Sequence, residues 1–129
     1  MSIFELRVAL TTEDFDRTLT FYRDGLGLDP GALWTDHGRA QIFSAGRATL
    51  EVFDHQQAQS VDQIEVGQRV SGQIRFAFEV PDVRVALERA LEYGGKLVHE
   101  PGLTPWNDLN ARVQAPDGMQ ITLFQVKPG

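Results

Sequence analysis

One spacing constrains this chain more than any other feature: 68 residues. Arg7 and Arg75, Leu10 and Phe78, Asp14 and Asp82, and Gly27 and Gly95 are all separated by that interval, without a gap. Each segment opens with strict alternation. Phe4, Leu6, Val8 and Leu10 share one side, with Glu5, Arg7 and Ala9 on the other; Ile74, Phe76, Phe78 and Val80 oppose Gln73, Arg75, Ala77 and Glu79. A period of two predicts a half-buried strand. A cap signal follows: Thr11 or Thr12 in the first segment, Pro81-Asp82 in the second. Apolar residues then recur at helical spacing, Phe15, Leu19, Tyr22 and Leu26 in one case, Val83, Ala86, Leu87, Ala90 and Leu91 in the other. Glycines close both helices. Strand parity, cap, helix and stop all keep register, which indicates an internal duplication.

The remaining punctuation completes two like halves. After Pro30–Thr35, runs at Ala40–Ser44 and Ala48–Asp54 flank the turn Ala45-Gly46-Arg47. After Gly95, strands are expected at Lys96–Glu100, Asn110–Ala115 and Met119–Val126, with Pro105-Trp106 in a loop and Pro116-Asp117-Gly118 in a turn. Each half reads strand–helix–strand–strand–strand. Residues 1–129 are one domain on this reading, with module one at about 3–54 and module two at about 73–126. The polar, glutamine-rich stretch 55–72 is expected to be a linker with at most a short helical turn.

Charge and composition narrow the partners. The net charge of −6 argues against a nucleic-acid backbone or an anionic membrane. With no cysteine there is no disulfide, thiolate zinc site or cysteine nucleophile. MSIFELRVAL is too charged for a signal peptide, and no apolar run approaches membrane-spanning length. The expectation is a cytoplasmic α+β protein whose partner is a small molecule.

Four pieces carry a family resemblance: FYRDGLGL at Phe21–Leu28, LEVFD at Leu50–Asp54, FEVPDVRVAL at Phe78–Leu87 and APDGMQITLF at Ala115–Phe124. In this order, and over nearly the whole of Phe4–Val126, the chain resembles the vicinal oxygen chelate superfamily of glyoxalase I, bleomycin-resistance proteins and extradiol dioxygenases. The resemblance implies paired βαβββ modules curling into a cup-shaped, partly open β-barrel, with helices outside and the ligand within. It also implies a homodimer. In a swapped dimer Arg7 and Glu51 of one chain would meet Arg75 and Thr122 of the other, so the cup forms either within one chain or between two.

Metal-dependent members place ligands at positions that project onto Arg7, Glu51, Arg75 and Thr122. Arginine stays protonated and offers no lone pair. A single carboxylate does not hold a divalent ion. His55 lies ~13 Å along the strand from Glu51 at the usual rise per residue, and His37 and His99 sit in or near loops. The expectation is therefore no metal and no cofactor.

Two readings stand for Arg7 and Arg75. They grip an anionic or planar polar ligand, or Glu51 neutralises them within a structural ion-pair network. Glu51 is also the candidate catalytic base, although nearby arginines are expected to lower its pKa and favour an orienting role. Phe53 and Phe124 point inward to hold a planar body or to fill the cup. Thr122 offers one hydroxyl beside the ligand. Trp106, and with less positional support Trp34, either stacks on a ligand or packs under its own loop. Asn110 and Arg112 reach the cup only if the register after Asp108 allows. The function expected is metal-independent small-molecule binding of the bleomycin-resistance type, gripping a planar polar or anionic ligand. The alternatives are a lyase, isomerase or oxygenase centred on Glu51, and an interaction protein with a filled cup.

Overall fold

The computed structural model describes residues 2–25 and 28–126. Its strands are β1 (Glu5–Thr11), β2 (Asp29–Trp34), β3 (Ala40–Ala45), β4 (Ala48–Phe53), β5 (Ile74–Glu79), β6 (Lys96–Leu103), β7 (Asp108–Gln114) and β8 (Gln120–Val126). Its α-helices are α1 (Phe15–Thr20), α2 (His55–Glu65) and α3 (Val83–Glu92). The strands form one mixed sheet in the order β2-β3-β4-β1-β5-β8-β7-β6. Strands β1 and β4, and likewise β5 and β8, run parallel; every other pairing is antiparallel. The fold is α+β, and the sheet curls into a cup without closing, since β2 and β6 remain its two ends. Antiparallel pairing of β1 with β5 joins the two strand sets inside a single chain.

The alternating residues distribute as their period demands. On the convex side, α1 covers Phe43 and Val52 through Phe15 and Leu19. Helix α3 covers Val80, Ala111, Val113 and Leu123 through Val83 and Ala86. Asp82 caps α3, accepting from the backbone N–H groups of Arg84 (3.0 Å) and Val85 (3.2 Å). Gly94, at φ +102°, ends it. At α1 the cap is Asp14, which accepts from the Arg17 N–H at 3.2 Å, rather than Thr11 or Thr12. Thr12 instead accepts from the Asp14 N–H. Beyond Thr20 the helix widens into a π-helical turn over Phe21–Gly25; the Leu26 and Gly27 positions of the repeat lie outside the described residues.

The stretch expected to be a linker is the main departure. Residues 55–65 form the 11-residue helix α2. Asp54 caps it by accepting from the Gln57 N–H at 2.8 Å. Ala58 and Val61 pack on Ala9, Ala40 and Phe53, which belong to the concave side of β1, β3 and β4. Helix α2 therefore lies within the cup, while α1 and α3 lie outside. Gly38 seats its first turn: at φ +119°, a Cβ there would come within 2.3 Å of the Gln57 backbone nitrogen. No described helix is long and apolar enough to cross a membrane.

Candidate functional site

Strand register assembles the site. Across β4, β1 and β5, Glu51 pairs with Ala9 and Ala9 with Arg75. One step along, Arg7 pairs with Ala77 and Ala77 with Thr122 across β1, β5 and β8. Each alanine lies between two longer side chains; Ala77 leaves room above itself, whereas Ala9 is covered by Ala58 and Val61 of α2. The result is a cavity of about 310 Å³, lined by Arg7, Glu51, Phe53, Arg75, Trp106, Thr122 and Phe124, all seven residues expected from the sequence. All come from one chain, so the cup does not need a second copy to assemble them. Trp34, Gln57, Glu65, Asp108 and Asn110 line the same space.

The two arginines differ in their surroundings. Arg7 is part-exposed; its Nε donates to Glu5 at 3.0 Å, and its guanidinium lies 4.7 Å from the Phe124 ring centroid. Arg75 is 6% exposed, and its Nη1 donates to the Thr122 hydroxyl at 2.9 Å. Among the described residues no carboxylate lies within 4.0 Å of Arg75. Glu51 neutralises neither arginine at contact distance, contrary to one of the two sequence readings.

Glu51 itself overturns an expectation. Burial pushes its carboxyl above the usual range. Arg75 and Arg7 pull it down without reversing the shift, and Glu65 and Glu5 reinforce it. Desolvation wins because the guanidiniums stop short of contact. Asp108 is likewise raised by burial, against the opposing influence of Arg7 and the Trp106 side chain. The charge count changes accordingly. Arg7 and Arg75 face Glu51, Glu65 and Asp108, so the cavity does not have the excess positive charge that Arg7, Arg75 and Glu51 alone imply.

Behind this wall lies a network that sequence reasoning missed. Arg112, fully buried on β7, donates to Asp62 Oδ1 (3.1 Å), Glu65 Oε1 (3.0 Å), Ser71 Oγ (2.9 Å) and the Thr122 hydroxyl (3.2 Å). Asp62 also accepts from the backbone N–H groups of Val70 and Ser71. Although burial opposes ionisation, the Ser71 and Val70 hydrogen bonds and Arg112 hold the Asp62 carboxyl down at about 2. Thr122 donates to Glu65 at 2.7 Å. Helix α2 is thus tied to the second half of the sheet through Asp62 and Glu65. The available signals were Asp54 three residues before Gln57, a capping-box spacing, and the helical recurrence Ala58, Val61, Asp62, Glu65.

A divalent metal does not fit the four projected positions. Arg7 and Arg75 have no lone pair to give. The Thr122 oxygen already accepts from Arg75 and Arg112 while donating to Glu65. That leaves Glu51 as a lone donor, and no group of three carboxylate or histidine side chains converges among the described residues.

The geometry agrees with comparisons to known proteins. The model of the Glyoxalase/Bleomycin resistance protein/Dioxygenase superfamily matches residues 6–123. Among solved structures, a hypothetical protein from Bacillus halodurans C-125 superposes with a TM-score of 0.70 at 13% identity, over 95% of this chain and 94% of that one. A superfamily member from Vibrio splendidus 12B01 gives 0.69 at 16%, over 96% and 99%. Methylmalonyl-CoA epimerase from Mycobacterium tuberculosis gives 0.64 at 18%, over 98% and 88%. At such identities the likeness is one of fold. No curated protein matches the sequence. With the family model spanning all but the ends of the sequence, and the same cupped sheet in these structures, the chain belongs to the Glyoxalase/Bleomycin resistance protein/Dioxygenase superfamily.

Proposed function

We propose that this protein binds a small planar polar molecule in its cup without a metal ion, in the manner of a bleomycin-resistance type binder. The observation that carries this reading is Arg75: a nine-tenths-buried guanidinium on a cavity wall, with no carboxylate in contact among the described residues. A buried cation is costly unless acceptors complete its hydrogen bonding, and a bound ligand supplies them. Phe53, Phe124 and the two tryptophans give the planar body its apolar surface. Native mass spectrometry of protein purified from its own cells tests the reading. A small organic molecule retained without a divalent ion supports it; one tightly bound divalent ion per chain overturns it. The same spectrum reports subunit number, for which we propose a homodimer, since β2 and β6 present sheet edges and expose Leu33 and Leu97.

A second reading follows from Glu51. A desolvated carboxyl with a raised pKa, open to a cavity shared with a guanidinium, suits proton transfer at a carbon beside a carbonyl. One structural relative is a methylmalonyl-CoA epimerase. Deuterium wash-in at the α-carbon of methylmalonyl-CoA in heavy water, abolished by Glu51→Gln, would establish this reading over pure binding.

A further inference from the structure

Glu51 and Arg75 face one cavity with unused hydrogen-bonding capacity of opposite kinds. The Glu51 carboxylate receives no hydrogen bond from any described residue, and neither of its oxygens is sealed away from the cavity. Arg75 spends Nη1 on Thr122, and its Nε and Nη2 are likewise open. The two side chains start on opposite sides of Ala9, yet they end more than 4.0 Å apart. A molecule that touches both accepts from Arg75, and donates to Glu51 wherever that carboxyl is ionised.

Two acceptors beside these walls have no donor and are closed to solvent. Asn110, 8% exposed, directs its amide nitrogen toward Glu65 Oε2 at 3.4 Å, which fixes its orientation; its carbonyl oxygen has no donor. The Gln57 side-chain oxygen on α2 also lacks one. Glu65 is already engaged by Arg112, Thr122 and Asn110, which leaves Glu51 and Asp108 to balance Arg7 and Arg75 on the lining. A carboxylate ligand satisfies Arg75 but sets its second oxygen against Glu51, and the two can meet only when one of them takes up a proton. An amide or lactam supplies a carbonyl oxygen to Arg75 and an N–H to Glu51.

We propose that the ligand of this cup is a neutral aromatic molecule bearing an amide or lactam edge, bridged between Arg75 and Glu51, and not an aromatic acid. This rests on the reading of the cup as a ligand site and narrows it to a chemical class. A ligand that displaces water from Glu51 and Arg75 must bring its own donor and acceptor.

The test uses matched pairs: benzamide with benzoate, 2-naphthamide with 2-naphthoate, and indole-3-acetamide with indole-3-acetate. Dissociation constants are measured at pH 7.5 for wild type, Glu51→Gln and Arg75→Met, each checked for folding by circular dichroism. Wild type is expected to prefer the amide at least tenfold in any pair it binds. Glu51→Gln, whose side chain offers an N–H, is expected to erase that preference or favour the acid. Arg75→Met is expected to weaken both members. Acids that bind as tightly as their amides and depend on Arg75 overturn the amide proposal and leave the cup reading standing. An amide preference unchanged in Glu51→Gln also overturns it. Absence of binding by every pair, or binding indifferent to Arg75→Met, overturns both.

Discussion

Glu51 and Arg75 are separated by Ala9: each pairs with that alanine from its own side, two strand spacings apart, and no ion pair closes over it. At the usual interstrand spacing their Cα atoms are ~10 Å apart. Helix α2 covers Ala9, while both longer side chains reach the one cavity beside it, and the missing contact leaves Glu51 poorly compensated. Burial therefore raises its pKa despite two nearby guanidiniums.

Glu51→Gln is accordingly expected to stabilise the fold at neutral pH. A carboxyl whose pKa is higher in the folded than the unfolded state favours folding when protonated, and that contribution is lost as pH rises above the unfolded value. Glutamine mimics the protonated form. The gain in melting temperature should be largest at pH 8 and shrink toward pH 4. A loss of melting temperature at pH 8 in the folded variant would show that the Glu51 carboxylate is well compensated after all.

Asp62 should act in the opposite sense. Its carboxyl lies at about 2 in the fold, below the ordinary value of 3.8. Stability contributed by the ionised group is present above about pH 4 and is lost as pH falls toward about 2, roughly 2 kcal/mol in all. Asp62→Asn should remove most of that acid dependence and lower stability at pH 7. Chemical denaturation from pH 2 to pH 7 measures it; an unchanged slope between wild type and variant would count against Asp62 as the titrating group.

Arg112 holds α2 to the second half of the sheet. Arg112→Met leaves Asp62 and Glu65 buried without their shared cation. Breaking a buried pair from one side costs about 3–5 kcal/mol. Adding Glu65→Gln should restore part of the loss, because the stranded charge is then gone. Hydrogen exchange should show α2 opening before β1, β4, β5 and β8. Denaturation giving fully additive losses for the two substitutions would mean that they do not act through one contact.

The division between what the residues announce and what they conceal follows physical range. Strand parity put Arg7, Glu51, Arg75 and Thr122 on one face, because a period of two leaves no choice of side. Asp82 with Gly94 bounded α3 for equally local reasons. Helix α2 stayed hidden because Asp62 and Glu65 occupy its buried face, where a helical pattern normally shows apolar residues. Their partner, Arg112, is 50 residues from Asp62 in sequence. The direction of the Glu51 pKa shift is not legible in the sequence for a related reason: register shows which residues flank Ala9, but not whether their charged ends meet.

The last prediction separates the two arginines by their partners. Arg7 is already paired with Glu5, lies over Phe124 and is part-exposed, so a ligand gains little from it. Among the described residues, Arg75 is buried, makes one side-chain hydrogen bond, to Thr122, and contacts no carboxylate. Arg75→Met should therefore weaken ligand binding by about 2–4 kcal/mol, the range for truncating one side of a desolvated charged contact. Arg7→Met should cost less than about 1 kcal/mol, as for an exposed pair. The reporter is built in: Trp34 and Trp106 are the two tryptophans of the sequence, and both line the cavity. Titration followed by intrinsic fluorescence thus reads the cup directly. If Arg7→Met costs more than Arg75→Met, the ligand's polar edge sits on Arg7 near Phe124, and the bridge between Glu51 and Arg75 is wrong.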